Sequence, residues 1–304
     1  MISNELLQQF GLKRPNAFGN DIYALNRVPY SALIGELGTG HHHLDIEINT
    51  PIGDEVIASV VDLETTGFSA EHDEIIEVGI IRFQFSPSAG RVTCVDSFIN
   101  YLQEPSAPLK PIITEVTGLT DEVLEGEYIP KDDVKRFVAD ASVLIAHNAN
   151  FDAKFFVKAF GQPHGAVWAC SSKGGDIDWK SFGMASSGLE YLNWQLGFFY
   201  DAHRASVDCM ATLWLLIAKP EALAQLHQSI STPRFLVKAW NSPFDVKDRL
   251  KSEGFKWNGT DRVWEKQAVG YESKSELQQL LGSVYRGGAE LSEATPVDLS
   301  QRFL

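Results

Sequence analysis

Two carboxylates, Asp62 and Glu64, stand two residues apart at the end of an apolar run, Val56 to Val61. In an extended chain that spacing sends both side chains to one face of a sheet. The turn Thr65-Thr66-Gly67 follows, so the pair is expected at the carboxyl end of a strand, where open α/β sheets place their sites. A third carboxylate, Asp152, follows a short apolar run and opens a helical pattern. Backbone donors at a helix start can hold such a group. His203 and Asp208 are five positions apart, about 140° around a regular helix. His203 is therefore expected on the loop before that helix, lying over Asp208. Four acids gathered in one buried place repel strongly unless cations neutralise them. Two Mg²⁺ or Mn²⁺ ions would do so, since oxygen ligands favour these hard cations over zinc. Two such ions about 3.5–4 Å apart suit in-line displacement at phosphorus. Asp-x-Glu on its own fits a solvated strand end and a turn equally well.

The elements that must position these residues can be read from periodicity. Strands are expected at Val56–Leu63, Ile75–Phe85 and Arg91–Tyr101, with Pro87 and Gly90 marking a hairpin between the last two. Helix follows over Asp132–Asp140, with Val134, Phe137 and Val138 on one face, then a buried strand at Val143–Ala146. Phe151, Phe155, Phe156 and Ala159 form a helical stripe ended by Gly161. Two more helices are expected at Tyr191–Leu196 and Arg204–Ala218, the second closed by Pro220, with 219–230 as a helical linker. Antiparallel strands followed by strands alternating with helices imply an α/β fold, a mixed sheet covered by helices. The segment 1–52 is read as an N-terminal extension with no assigned role. In it, Leu6, Leu7 and Phe10 suggest a short amphipathic helix, His41-His42-His43 a loop, and Leu44–Ile48 a half-buried strand.

The chain has 304 residues with 26 Lys plus Arg against 40 Asp plus Glu, a net charge of −14. A polyanionic substrate is not recruited by that overall field, so bound cations or a local basic patch must offset it. Three cysteines with no ligand spacing fit a reducing, cytoplasmic setting. The start, Met1–Phe10, lacks the pattern of a secretory signal. The longest apolar run, Met210–Ala218, falls well short of the about 20 residues that span a bilayer, so no membrane partner is expected.

Four segments, taken together, resemble the DEDDh family of 3′–5′ exonucleases. That family includes the proofreading epsilon subunit of bacterial DNA polymerase III, RNase T and oligoribonuclease. The segments are Asp62-Leu63-Glu64-Thr65-Thr66-Gly67, Val116-Thr117-Gly118-Leu119-Thr120, His147-Asn148-Ala149-Asn150-Phe151-Asp152, and His203-Arg204-Ala205-Ser206-Val207-Asp208. The resemblance implies an RNase H-like domain over 53–220, with a five-stranded mixed sheet flanked by helices. It assigns Asp62, Glu64, Asp152 and Asp208 to two Mg²⁺ or Mn²⁺ ions, and makes His203 the general base beside Glu64. Thr65, Thr66, Thr117 and Asn148 would lie against the 3′-terminal nucleotide, Thr65 and Thr66 through backbone groups. Turn formation or capping is the structural alternative for Thr117 and Asn148. His147 is expected to be packed and hydrogen-bonded, and Asp176 and Asp178, next to Trp179, to serve packing. The implied activity is hydrolysis of DNA from single-stranded 3′ ends to nucleoside 5′-monophosphates. RNA trimming, or a non-catalytic nucleic-acid-binding accessory role, are the alternatives. A polymerase or a sliding clamp is the implied protein partner.

The last part of the chain differs in character. Residues 231–270 hold eight Lys/Arg against five Asp/Glu, a balance of +3, with Phe235, Trp240, Phe244, Phe255, Trp257 and Trp264 among them. This reads as a small aromatic, basic α+β module with a hairpin turn at Asn258-Gly259. Exposed aromatic rings among lysines could stack bases and pair phosphates. Equally, the tryptophans could be the core of a small domain. A helix and a polar, mobile tail are expected over 271–304. Its end, Val297–Leu304, is expected to be frayed, with a clamp-binding peptide as the alternative.

Overall fold

The computed structural model of the chain describes residues 25–29, 34 and 36–304; the helix expected around Leu6–Phe10 lies outside them. The chain forms two compact units, Met1–Ser229 with Phe303–Leu304, and Ile230–Arg302.

The first unit is built on a six-stranded mixed sheet. Its strands are β1 (Gly40–Glu47), β2 (Val56–Thr65), β3 (Ile75–Ser86), β4 (Arg91–Leu102), β5 (Val143–Ala146) and β6 (Val167–Cys170), in the spatial order β1-β4-β3-β2-β5-β6. β1 to β4 pair antiparallel, while β2-β5 and β5-β6 are parallel. The five strands β4-β3-β2-β5-β6 make the mixed sheet that was expected. The sixth, β1, corrects the expected five. It also corrects the loop expected at His41–His43 and places part of the 1–52 segment inside the fold. Alternation explains it: His42 stacks on Phe98 at 4.8 Å, while His41 and His43 point to the other face, where His41 meets the edge of Phe137. Earlier still, Asn26–Arg27 pairs parallel with Phe198–Phe199.

The helices of this unit include α1 (Pro111–Thr117), α2 (Lys131–Phe137), α3 (Ala149–Phe160), α4 (Leu189–Gln195), α5 (Ala205–Ala218) and α6 (Pro220–Ser231). One sheet face, with Val61, Leu63, Val78 and Ile80, packs under Ala149, Ala153, Phe155 and Phe156 of α3. The opposite face receives α5, every residue of which is buried. Pro220 both stops α5 and starts α6, where its missing N–H costs nothing. The region expected to be a linker is packed: Ala222, Leu223 and Leu226 of α6 are fully buried. Phe303 is buried in the α3-side core, where a frayed end was expected. No described helix is long and apolar enough to cross a membrane.

The second unit has its own four-stranded antiparallel sheet of β7 (Arg234–Ala239), β8 (Lys256–Asn258), β9 (Val263–Val269) and β10 (Ser292–Pro296), ordered β8-β9-β7-β10. Helices α7 (Lys247–Ser252) and α8 (Gly270–Val284) belong to it. Alternate residues of β7, Phe235, Val237 and Ala239, face a core with Leu250, Phe255, Leu277 and Leu281. The tail expected to be mobile supplies β10, which pairs with β7 along its length. The compact unit is thus longer than the 231–270 module expected, because a polar strand of mixed sequence gives no hydrophobic signal when it sits at a sheet edge.

Candidate active site

Register sets the site. Across β2 and β3, Val60 stands opposite Ile81, Asp62 opposite Gly79, and Glu64 opposite Glu77, all on the face that receives α5. The start of α5 sits directly on Gly79. A Cβ there would lie 2.5 Å from the Ala205 carbonyl carbon and the Ser206 nitrogen, so only glycine permits the approach. Cys209 confirms the docking, its thiol donating to the Gly79 carbonyl at 3.1 Å. One turn into α5, Asp208 thereby reaches the acids of β2.

Carboxylate oxygens of Asp62, Glu64 and Asp208 all lie within 4.8 Å of one another. Asp152 is buried nearby but stands outside that group. Its helix lies on the opposite face of the sheet, and its carboxylate is stabilised by backbone N–H groups of Asp152 and Leu63. The Leu63 contact is open to it because β5 pairs with β2 only as far as Val60. His203 lies on the bend before α5, exposed, with φ at +70°, and its backbone N–H donates to Asp208 at 2.9 Å. This is the loop position expected from the five-residue spacing.

Burial and mutual repulsion raise every acid in the site. Burial, then the Asp208, Asp152 and Glu64 carboxylates, push Asp62 well above the usual range. Burial followed by Asp208 and Glu77 drives Glu64 up to about 8. Burial takes Asp152 up to about 8 and Asp208 to about 6. A set of carboxylates held where none ionises readily is the donor chemistry that suits a hard divalent cation. The residues present therefore fit such an ion.

Two groups around the acids escaped the sequence reading. Glu77 is fully buried and accepts from the Arg204 guanidinium at 3.0 Å and from the Ala205 N–H at 3.2 Å. It thus ties the start of α5 to β3. An acid inside the apolar run Ile75-Ile76-Glu77-Val78 was the available signal, since such residues are buried only with a partner. Tyr200 hydrogen-bonds Asp208 through its hydroxyl, and burial pushes that phenol far up.

The expected substrate residues separate. The Thr65 hydroxyl donates to the Gly67 carbonyl at 2.6 Å, and that of Thr66 accepts from the Glu74 N–H at 3.0 Å, so both side chains are engaged in the turn. Thr117 is buried, its hydroxyl donating to the Ile113 carbonyl and accepting from Leu119 N–H. It serves the turn at the end of α1 rather than facing outward. Asn148 is exposed at the start of α3 and makes no capping bond with its side chain. His147 is held by the Ser171 hydroxyl and the Ser187 carbonyl, and burial lowers its imidazole to about 4. Asp176 accepts from Cys170 N–H and the Ser229 hydroxyl, and Asp178 caps the short turn Trp179–Phe182, so both are structural.

The exonuclease (RNase T) family profile matches residues 59–216, just over half of the chain. This chain belongs to that exonuclease family. The DNA polymerase III PolC-type protein of Thermotoga maritima is 37% identical over 98 residues, 32% of this chain and 7% of that one. The DNA polymerase III epsilon subunit of Treponema pallidum is 32% identical over 109 residues, 34% of this chain and 46% of that one. The chain thus spans less than half the length of these curated relatives. Among solved structures, Exonuclease X in complex with 5′-overhanging duplex DNA aligns with a TM-score of 0.42 at 19% identity, covering 56% of this chain and 99% of that one. The nuclease domain of 3′hExo, a DEDDh family member bound to rAMP, aligns at 0.44 with 15% identity, over 58% and 97%. The matched range contains Asp62, Glu64, Asp152, Asp208 and His203.

Proposed function

We propose that this chain is a metal-dependent 3′–5′ exonuclease that hydrolyses DNA from single-stranded 3′ ends to nucleoside 5′-monophosphates. The observation that carries the reading is the meeting of Asp62 and Glu64 from β2 with Asp208 from α5 within 4.8 Å. These three, with Asp152 opposite, would hold two Mg²⁺ or Mn²⁺ ions. When bound, the ions supply a nucleophilic water at neutral pH and stabilise the oxygens of an in-line displacement.

The chain's own residues supply the rest. His203, on an exposed bend beside Asp208, takes the proton from the attacking water and passes it to solvent. Its exposure lets the ring turn toward substrate without unfolding the start of α5. Glu77 and Arg204 hold that start in place, and Tyr200 fixes the Asp208 carboxylate. The turn after β2 carries Phe68 outward, 94% exposed, against the edge of Phe151. Gly67 allows this, since a Cβ there would lie 2.5 Å from the Asp73 carboxylate that orders the turn. Ile113 of α1 and Leu119 just after it pack with Ile76 and Leu102, leaving Ile112 and Val116 exposed. These apolar groups suit the faces of unpaired bases and favour a frayed strand over an intact duplex. Asn148 has a side chain available for the terminal nucleotide, and Thr65 and Thr66 offer backbone groups.

The test is digestion of matched single-stranded DNA, duplex DNA and RNA, each labelled at the 5′ end, with Mg²⁺ or Mn²⁺. The reading expects shortening from the 3′ end, fastest on single-stranded DNA, with mononucleotides released. Internal cuts, or no hydrolysis by a folded protein, would overturn it.

A further inference from the structure

The exonuclease profile stops at residue 216, so the second unit is assigned no role by family. Its surface carries an unusual strip. Phe244 is 80% exposed, and the Lys247 ammonium stands 4.0 Å from its ring centre. Lys247 and Lys251 are one turn apart on α7, on the same side, with about 6 Å of rise between them. Lys251 in turn lies over Trp264 at 5.9 Å, and Trp264 tilts against Trp257 at 5.5 Å. Trp264 is a core residue, but Trp257 is 53% exposed. Two contact pairs, Phe244 with Lys247 and Lys251 with Trp264 and Trp257, are thus joined by one turn of α7, with two ammonium groups between two exposed rings.

Packing does not explain the strip. The unit has its own core of Phe235, Val237, Leu250, Phe255, Leu277 and Leu281, to which neither Phe244 nor Trp257 belongs. Lysine stems that merely sheltered the rings would leave little ring surface in water, yet most of Phe244 is open. Rings offer stacking surface to any base whose face is free, and ammonium groups between them offer charge to the linking phosphates. A paired duplex hides its base faces, so the chemistry selects single strands.

We infer that the strip Phe244-Lys247-Lys251-Trp257 of the second unit is a binding site for single-stranded nucleic acid. It extends the proposed function, since the exonuclease unit consumes strands of the same kind. It does not need that function to be right. In a chain with a net charge of −14, the strip supplies the local basic surface that a polyanion requires.

The experiment uses the full chain carrying Asp62→Asn, so that the probe survives, with fluorescence anisotropy of 5′-labelled single-stranded DNA, single-stranded RNA and duplex of equal length. Phe244→Ala and Trp257→Ala should each weaken single-strand binding about tenfold, the effect of removing one stacking platform. Lys247→Gln with Lys251→Gln should lower the slope of log affinity against log salt by about 1.4, the value for two contacts to single strands. Because Phe244 is mostly exposed, Phe244→Ala should keep the parent's melting temperature, which guards against reading misfolding as lost binding. Affinity unchanged in all three variants overturns the site, as does tighter binding of duplex than of single strands, or no binding by the parent chain. The DNA and RNA arms show which strand the site prefers. If the parent binds through the strip while the unmutated chain fails to hydrolyse any strand, the exonuclease reading falls and this site stands.

Discussion

In the first unit Asp62, Glu64 and Asp208 crowd like charges into a partly buried place; in the second, Phe244 and Trp257 hold aromatic rings in water. Both arrangements run against what folding alone favours, since buried charge is costly and apolar surface belongs inside. Each unit makes up the cost elsewhere. The acids ride on a register-locked strand pair and on a helix pinned by Gly79, Glu77 and Arg204. The rings ride on a unit whose core is complete without them. Charge that is costly in the free chain and rings that are unused in the free chain have the same explanation, a ligand that needs them. The ligand we propose for the acids is a divalent cation, and for the rings an unpaired base.

The comparison breaks most severely at the acids. Asp62→Asn or Asp208→Asn should cost about 10³-fold or more in hydrolysis, since metal stabilisation of displacement is worth several kcal/mol at about 1.4 kcal/mol per tenfold. Full Mg²⁺-dependent activity in either variant would remove the site. Next is His203→Ala, expected to lose about 10²–10⁴-fold in turnover, the range of a general base. Manganese affinity measured by calorimetry should be unchanged; equal loss of affinity would make His203 a ligand.

Glu77→Gln sharpens the account of how Asp208 is placed. It leaves Arg204, whose side chain is 40% exposed, without its buried partner. Partial exposure lowers the usual cost of breaking a buried pair, to about 1–3 kcal/mol. A fall of several degrees in melting temperature is expected, with loss of activity through a loosened α5. Normal activity despite the lower melting temperature would show that Glu77 stabilises the fold without positioning the acid.

Stability against pH should separate the units with the smallest effect. Glu64 and Asp152 titrate near 8 in the folded chain and near 4 when unfolded, so between those values the folded state holds the extra protons. Stability without metal should therefore fall as pH rises from about 7.5 to 8; below that, His147, lowered to about 4 by burial against 6.5 when unfolded, works the other way, because its unfolded ring loses a proton as pH rises through 6.5. Mg²⁺ or Mn²⁺ should raise the melting temperature more at the upper end, and Asp62→Asn should flatten the dependence. A melting temperature that climbs with pH over the same window in metal-free protein would contradict the burial of these acids.

The first unit was largely legible in the sequence because its site sits on regular elements. A two-residue spacing on a strand and a five-residue spacing across a helix start are geometric statements, and the shared face of Asp62 and Glu64 and the loop position of His203 before α5 follow from them; the roles came from the family resemblance. Asp152 was legible as an acid at a helix start. Its position outside the tight trio was not, because it depends on which face of the sheet α3 covers. The sixth strand was missed where three histidines hid an alternating pattern, and β10 where an edge strand needed little apolar content. The structural reading of Thr117 held because its hydroxyl finds partners in the turn, whereas the capping role considered for Asn148 did not, its side chain making no capping bond. In the second unit the same letter, tryptophan, stands for a core residue at 264 and a surface one at 257, since exposure is a property of the folded unit rather than of composition.

The central claim is that acids from β2 and α5, with Asp152 from α3, share divalent cations. Crystals grown with Mn²⁺ and measured near the manganese absorption edge test it most directly. The account predicts anomalous peaks bounded by Asp62, Glu64, Asp152 and Asp208, lost in the Asp62→Asn protein. A well-ordered site with no peak among those four carboxylates would contradict it.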